Sequence, residues 1–424
     1  MLAALYHPKG DRVSKINPFK PTSPVPTAMF AGRLNEIEAI ENGLHQTKSG
    51  QQKNFLITGE RGIGKSSLMM LAKHMAAGDV VSNNYDRFNF VTINTIISNR
   101  MSLETFIKLI ERNIKREIGK CESIRSFLGE AWSFVQRIKI MDSGIDQEAQ
   151  SEDVDLIIDD LAYSLSQTCS RISNPEKGEE AKDGIVFFID EADNSCENLH
   201  IGYFFKVLTE LLQQQGCNNI MFVVAGLPDV IEKLSSSHES SIRIFNQMVV
   251  KELARADRIF VVERGLEEGN KLNKEPTTIS EKAKGSISAL SEGYPHFIQQ
   301  FAYSAFEFNT DGEISIDDVM EGALNDGGAI DAIGGQYYSS DFHSKIKSDE
   351  YREVLTIMAE NYNSWIKKSE IRKQFSGDDQ TLTDALRALT TRKIILKNQS
   401  KMGEYRLQQR GFAIWIKLFG SRRK

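Results

Sequence analysis

Hydrophobic positions in the first two thirds of the chain alternate between short continuous apolar runs and longer stretches with helical spacing. The short runs have the length and composition of buried strands, whereas the longer stretches repeat apolar residues every three or four positions. This alternation predicts a parallel sheet with helices on both faces, an α/β fold. The predicted strands are 54–58, 88–93, 185–189, 220–225 and, as a fifth, 258–262, and the predicted helices are 34–45, 66–76 and 201–214, with 101–175 mostly helical.

The pattern beyond residue 264 changes to helices with few strands. Residues 280–290 and 295–306 predict a small helical unit, and a connector rich in Asp and Gly follows at 310–335. Three helices and a hairpin then give the element order of a winged helix, a variant of helix-turn-helix. The predicted elements of this last part are helices 350–360, 368–374 and 380–389 and strands 393–397 and 404–407.

A glycine-rich stretch directly after the first predicted strand indicates a phosphate-binding loop. It fits G-x-x-x-x-G-K-[ST] at every position, and a predicted helix follows it. Glycines let backbone N–H groups approach a triphosphate, and the helix directs its positive end at the same charge. We expect Lys65 to reach the β- and γ-phosphates and Ser66 to bind Mg²⁺. A glycine-rich turn with a chance lysine is the alternative. The predicted ATP-binding residues of this loop are Gly59, Glu60, Arg61, Gly62, Ile63, Gly64, Lys65, Ser66 and Ser67.

Two carboxylates stand at the end of the third predicted strand. In open α/β sheets, ligands bind at the edge where the strands end. We expect Asp190 to hold Mg²⁺, directly or through water, and Glu191 to orient and deprotonate the attacking water. The alternative is an acidic turn after a core strand, and we interpret Asp193 as a solvated neighbour. The fourth strand has no polar residue at its end before Asp229, so phosphate sensing from that strand is not expected.

Stabilisation of the transition-state charge also requires a cation. Arg243 is the best candidate for this catalytic role. Arg61, inside the loop, could face solvent or a neighbouring subunit. Ordinary surface arginine is the alternative for each candidate, including Arg243. The other candidates are Arg255, Arg258 and Arg264.

Composition narrows the class of protein. The chain has 424 residues, of which 40% are hydrophobic and 26% are charged, as in a globular protein of two or three domains. Its longest apolar stretch, 220–227, is far shorter than the roughly 20 residues that cross a bilayer. No C-x-x-C pair or signal peptide is evident, so we expect a cytoplasmic protein with free thiols and no membrane partner. The cysteines are Cys121, Cys169, Cys196 and Cys217.

Charge is distributed unevenly along the chain. From His343 to the end there are 18 Lys/Arg and 9 Asp/Glu, a net charge of +9, against 34 and 49, or −15, in the remainder. This asymmetry predicts a separate C-terminal module with an anionic partner, and duplex DNA is the first candidate. We expect helix 380–389 to be the recognition helix, with Arg387 on it; a protein-docking module with a solvated basic face is the alternative. Further basic residues are Arg392, Lys393, Lys397, Lys401, Arg406 and those of the tail 422–424.

The motifs together resemble a known group of enzymes. GERGIGKS paired with IVFFIDEAD, followed by a helical unit and a winged helix, resembles the AAA+/STAND branch of P-loop ATPases, and within it prokaryotic ATPases similar to archaeal origin-recognition initiators. The likeness covers about residues 17–420. It implies that Phe30, Gly32 and Arg33 lie near the adenine, and that Pro295 or His296, where a lid helix begins, senses the phosphates. The lid arginine common in that group is missing here.

Four parts are therefore expected. They are an extended arm (1–28), an ATPase core (29–264) with a helical insert at about 94–182, a helical lid and connector (265–340) and a winged helix (341–424).

The predicted function is an ATP-hydrolysing switch that couples nucleotide state to a DNA or protein partner, or to other copies of the chain. Two alternatives remain. One is a DNA-binding initiator or loader with a slow regulatory ATPase. The other is a signalling or antiviral-defence scaffold whose insert recognises a protein. A kinase is not expected, because no second substrate site is evident.

Overall fold

The structure is a computed structural model in which the chain forms two compact units. One unit is Arg33–Lys251, and the other joins Met1–Gly32 to Glu252–Lys424. Cys121, Lys393, the basic tail and most of the arm lie outside the described residues. The described residues are 15–23, 30–81, 84–119, 122–136, 138, 147–346, 348–361, 364–392, 394–398 and 401–420, with the backbone alone for 147–153, 341 and 345.

A five-stranded parallel sheet forms the centre of the unit Arg33–Lys251. Its strands are β1 (Asn54–Thr58), β2 (Val91–Ile96), β3 (Ile185–Asp190), β4 (Ile220–Gly226) and β5 (Phe245–Val249). The spatial order is β2-β3-β4-β1-β5, so β4 separates β1 from β3. Strands β1 and β4 are buried along their whole length, as expected for a sheet covered on both faces. The predicted α/β class is confirmed.

Amphipathic helices cover this sheet. They are α1 (Leu34–Lys48), α2 (Lys65–Ala77), α3 (Leu103–Ile118), α4 (Glu122–Ala131), α5 (Gln147–Ser173), α6 (Ile201–Gln214) and α7 (Val230–Ser237). In α3 the buried positions Phe106, Ile110 and Ile114 recur on one face, which joins the same hydrophobic core as the strands. Within the described residues, no helix combines the length and apolarity that a membrane crossing requires.

A buried tryptophan joins the segment after α4 to α5. Trp132 has no exposed surface, and its indole N–H donates to the Thr168 hydroxyl at 3.0 Å. That hydroxyl in turn donates to the carbonyl of Ser164 at 2.7 Å. A buried indole N–H without an acceptor lowers the stability of the fold by about 1–3 kcal/mol. The Thr168 hydroxyl removes this penalty by accepting the hydrogen bond of Trp132.

The predicted fifth strand is wrong. Residues 258–262 lie inside a helix, α8 (Arg255–Asn270), and the fifth strand is β5 instead. A short apolar run is ambiguous between strand and helix, and here Val261, Val262 and Leu266 share the buried side of the helix. The predicted second strand also begins three residues late in the structure, at Val91 rather than at 88.

The second unit contains the predicted helical unit. Its arm residues are fixed to it, because the side chain of Asn17 donates to the carbonyl of Tyr303 and to the carboxylate of Glu307. The predicted connector at 310–335 is largely helical instead, since Ser315 and Asp318 form a reciprocal capping box. The elements after α8 are β6 (Thr278–Ile279), α9 (Glu281–Leu290), α10 (Pro295–Phe308), β7 (Glu313–Ile314), α11 (Ile316–Leu324) and α12 (Ala329–Ile333), with β6 parallel to β7.

The last part of the chain has the element order of a winged helix, as the sequence predicts. Three helices and a three-stranded sheet precede a final helix. The elements are α13 (Asp349–Glu360), β8 (Ile366–Lys367), α14 (Lys368–Gln374), α15 (Asp379–Thr391), β9 (Ile395–Lys397), β10 (Glu404–Leu407) and α16 (Arg410–Phe419). Strand β10 lies between β8 and β9 and is antiparallel to both.

Replacing Thr168 with valine is expected to destabilise the unit Arg33–Lys251 by about 1–3 kcal/mol, because the buried N–H of Trp132 loses its acceptor while the volume is conserved. Urea unfolding measures the change. Thr105→Val, at an exposed position of α3, is the control and should stay within about 0.5 kcal/mol of wild type. Equal stability of the two variants would contradict this account of the insert.

Candidate nucleotide-binding site

The loop between β1 and α2 has a backbone that only glycine supports at its key positions. A side chain at Gly59 would lie 2.8 Å from the carbonyl oxygen of Val250. Gly62 and Gly64 have φ of +76° and +99°, in the left-handed region. The loop therefore turns tightly from the strand into α2, whose N-terminus can face an anion.

Lys65 is the first residue of α2 and folds back over the loop. Its ammonium donates to the carbonyls of Gly59 at 2.8 Å and Glu60 at 3.0 Å. Burial lowers the pKa of Lys65, and the nearby carboxylates of Asp190 and Asp193 oppose that shift. The ammonium is thus held inside the loop, close to two carboxylates.

Ser66 and Asp190 meet at the edge where the strands end. The Ser66 hydroxyl donates to Asp190 Oδ2 at 2.7 Å across 124 positions of sequence. Hydroxyl and carboxylate oxygens are the hard ligands that Mg²⁺ accepts in phosphate sites. Within the described residues no group of three or more His, Cys, Asp or Glu side chains could hold a metal ion by itself. A metal here would therefore complete its coordination with phosphate and water, and the pair fits that requirement.

Glu191 has a left-handed backbone, with φ of +56°, which is uncommon for a residue with a side chain. Its own N–H donates to Asp190 Oδ1 at 2.8 Å. The amide of Asn194 donates to Glu191 Oε2 at 2.9 Å and orients an otherwise exposed carboxylate. Sequence patterns did not single out Asn194, because its role depends on the short turn at 192–194.

The interpretation of Asp193 as a solvated neighbour is wrong. Its carboxylate accepts a hydrogen bond from the N–H of Leu227 at 2.8 Å, just beyond β4. A side chain at Gly226 would lie 3.0 Å from that carboxylate. The turn that contains Asp193 therefore occupies the space at the end of β4. This gives a physical reason why the chain has no polar side chain directly after that strand. Lys233 reinforces the turn by donating to the carbonyls of Asp193 and Ser195.

Arg33 lies close to the loop, in the same unit. Its guanidinium donates to the carbonyl of Ile63 at 3.1 Å, and its side chain is 8% exposed. Ile63 is buried, Glu60 and Ser67 are half-buried, and Arg61 is exposed. Arg243 is exposed in the turn before β5.

The structure does not bring all the predicted nucleotide contacts into one unit. Phe30, Pro295 and His296 belong to the second unit, where Pro295 is the first residue of α10. The imidazole of His296 lies 5.1 Å from the ring of Tyr337, between centroids. The predicted roles of these residues at the nucleotide stay predictions.

The turn before α10 is bound to the last helix of the chain. Glu292 has φ of +52°, and its carboxylate accepts a hydrogen bond from the N–H of Arg410 at 2.5 Å, at the first turn of α16. Burial raises the pKa of Glu292, and the bond to Arg410 opposes that shift. This bond joins the turn before α10 to the start of α16, a link that sequence patterns could not reveal.

The exposed face of α15 carries fewer available cations than the sequence suggests. Arg387 forms an ion pair with Asp384 of its own helix at 2.6 Å. Lys368 pairs with Asp379 at 2.9 Å, at the start of the same helix. These pairs neutralise both cations, so α15 offers little net positive charge to a phosphate backbone.

Comparison with protein families identifies the domain that holds this site. Residues 29–201 match the family model described as "AAA ATPase domain". The matched segment includes the loop 59–66 and the pair Asp190 and Glu191. No curated protein shows significant similarity to the chain.

Solved structures show a distant likeness along most of the chain. The Aeropyrum pernix ORC2 protein, in ADPNP–ADP complexes, is 14% identical with a TM-score of 0.45, and the alignment covers 93% of each chain. The Aeropyrum pernix ORC1 protein in complex with DNA is 13% identical, with a TM-score of 0.41 and coverage of 92% of this chain and 93% of the other. Cdc6p from Pyrobaculum aerophilum is 11% identical, with a TM-score of 0.40 and coverage of 95% and 96%. Residues 29–201 of this chain are therefore similar to an AAA ATPase domain, and the loop 59–66 and the pair Asp190 and Glu191 lie within the matched segment.

Proposed function

We propose that the chain hydrolyses ATP with Mg²⁺ and uses the cycle of ATP and ADP as a switch. The observation that carries this proposal is the bond between Ser66 and Asp190, which joins the phosphate-binding loop to the carboxylate pair. Glu191, the proposed catalytic carboxylate, is the residue after Asp190, and the amide of Asn194 donates a hydrogen bond to it. This arrangement supports hydrolysis, because the phosphate-binding loop, the candidate Mg²⁺ ligands and the carboxylate that would activate water lie at one sheet edge.

Each residue has a distinct part in the proposed reaction. The backbone N–H groups of the loop and the α2 N-terminus bind the phosphate oxygens. Lys65 moves its ammonium from the loop carbonyls to the β- and γ-phosphates. Ser66 and Asp190 would hold Mg²⁺, which would supply positive charge against the phosphates. Glu191 orients the attacking water and accepts its proton.

An exposed arginine fits a role in a neighbouring copy of the chain. Arg243 lies on the surface before β5, so its guanidinium is accessible to a second subunit. We propose that it stabilises the transition state there, and that Phe30, Pro295 and His296 cover the bound nucleotide. The four-part division predicted from the sequence, including the lid, belongs to this proposal.

For the C-terminal module we propose a nucleic-acid partner, bound through the sheet rather than through α15. The net charge of +9 beyond His343 supports an anionic partner. Protein docking, as in a STAND-type scaffold, is the second candidate, since α15 presents carboxylates. We also propose a cytoplasmic location, because Cys169, Cys196 and Cys217 are free thiols.

Glu191→Gln is expected to bind ATP like wild type but to hydrolyse it about 10²–10⁴-fold more slowly, because the general base is lost and the shape kept. Phosphate release measures turnover. Lys65→Ala should lose both binding and turnover. Glu197→Gln, an exposed glutamate in the next turn, is the matched control. Wild-type turnover in Glu191→Gln would refute its assigned role.

Ser66→Ala is expected to raise the Mg²⁺ concentration needed for half-maximal turnover about tenfold or more, because one ligand is lost. A magnesium titration of phosphate release checks this. Ser236→Ala, at an exposed position, is the control. An unchanged magnesium requirement in Ser66→Ala would remove Ser66 from the metal site.

Arg243→Ala is expected to lower turnover about 10³-fold without changing ATP affinity, as for an arginine that acts on the transition state. Mixing Arg243→Ala with Glu191→Gln should restore part of the activity, since each variant supplies what the other lacks. Arg116→Ala, another exposed arginine, is the control. A mixture as inactive as its parts would exclude action across subunits.

A further inference from the structure

The C-terminal sheet has an outward surface that the nucleotide site does not use. Ile366 and Leu407 are buried beneath the sheet, at 3% and 6% exposure, so the residues next to them in sequence point outward. We name this surface the wing face. It is defined by Trp365, Lys367, Glu404 and Arg406, with Glu404 opposite Lys367 in the strand register.

Trp365 is the exposed tryptophan of this chain. The sequence has three tryptophans, and Trp132 and Trp415 are 0% and 3% exposed, whereas Trp365 is 37% exposed. The guanidinium carbon of Arg406 lies over the Trp365 ring, 5.0 Å from its centroid. A partly exposed indole with a guanidinium over one face forms a stack of the kind that unpaired bases extend.

The cations of the wing face are available for phosphates. Neither Lys367 nor Arg406 forms a salt bridge within the described part of the chain, and both are exposed. The carboxylate of Glu404 accepts a hydrogen bond from the amide of Asn398 at 2.9 Å. Lys401, in the hairpin between β9 and β10, is also exposed. The wing face and its hairpin are therefore net positive, unlike the exposed face of α15.

We propose that the wing face binds single-stranded nucleic acid, with a base stacked on Trp365 and the flanking phosphates on Lys367 and Arg406. A single strand fits better than a duplex, because duplex bases are already stacked and cannot cover an indole. The ion pairs of Arg387 and Lys368 also leave α15 with little positive charge for entry into a groove lined by phosphates. This inference deepens the proposed role of the C-terminal module and is independent of ATP hydrolysis.

Tryptophan fluorescence of the full chain tests the proposal directly. Oligothymidine and oligouridine are expected to quench the emission of wild type, because the accessible tryptophan is the one that stacks. Trp365→Phe should lose this quenching but keep most of the affinity, measured by anisotropy of a labelled oligonucleotide. Trp365→Ala should bind about tenfold more weakly or worse. Phe308→Ala, an aromatic residue with the same 37% exposure on α10, is the control and should bind like wild type.

Charge and strand type complete the test. Arg406→Gln should reduce the slope of log affinity against log salt by about 1, as for one lost phosphate contact. Comparing thymidine and uridine oligomers separates a DNA from an RNA ligand, and both outcomes support the proposal. Wild-type affinity in Trp365→Ala, binding to duplex alone, or no binding to any oligonucleotide would overturn it. ATP turnover of Trp365→Ala is measured in parallel, so a failure of hydrolysis is seen separately.

Discussion

The site depends on one constraint of the parallel sheet, which gathers the ends of its strands at a single edge. Ser66 follows β1 and Asp190 ends β3, yet their side chains are hydrogen-bonded at 2.7 Å with β4 lying between the two strands. Because β4 separates β1 from β3, there is room for the phosphate-binding loop after β1 and for the carboxylate turn after β3. The tight backbone at Gly59 and the left-handed residue Glu191 both follow from this arrangement. The left-handed backbone of Glu191 lies where the proposed catalytic carboxylate points outward.

Hydrogen bonds at the sheet edge give each carboxylate a different task. Asp190 contacts Ser66 and the N–H of Glu191, so its carboxylate is held in place for the proposed Mg²⁺ site. Asp193 is bound to Leu227 and supports the turn, leaving Glu191 as the carboxylate that faces solvent. In the second unit, Glu292 has a comparable structural task, since it joins the turn before α10 to the N-terminus of α16. Neighbouring acidic residues that look alike in the sequence thus differ in structural role, because their hydrogen-bond partners differ.

Much of the fold could be predicted, because continuous apolar runs and full motif matches are local signals. The strand Asn54–Thr58 and the helix Ile201–Gln214 have the predicted bounds. Prediction failed where long-range contacts decide the structure. Strand β5 alternates poorly, burying Phe245 and Met248 with two exposed residues between them, whereas the run at 258–262 satisfies either periodicity. The roles of Asp193, Asn194 and Glu292 required the turn geometry, and the ion pairs that occupy the cations around α15 required its side-chain positions.

We propose that residues 59–66, Asp190 and Glu191 form a site that hydrolyses ATP. The first measurement identifies the nucleotide that stays bound after incubation with ATP and Mg²⁺, once it is separated from free nucleotide by chromatography. We expect ADP on wild type and intact ATP on Glu191→Gln. Intact ATP on both proteins, or no nucleotide on wild type, would contradict it.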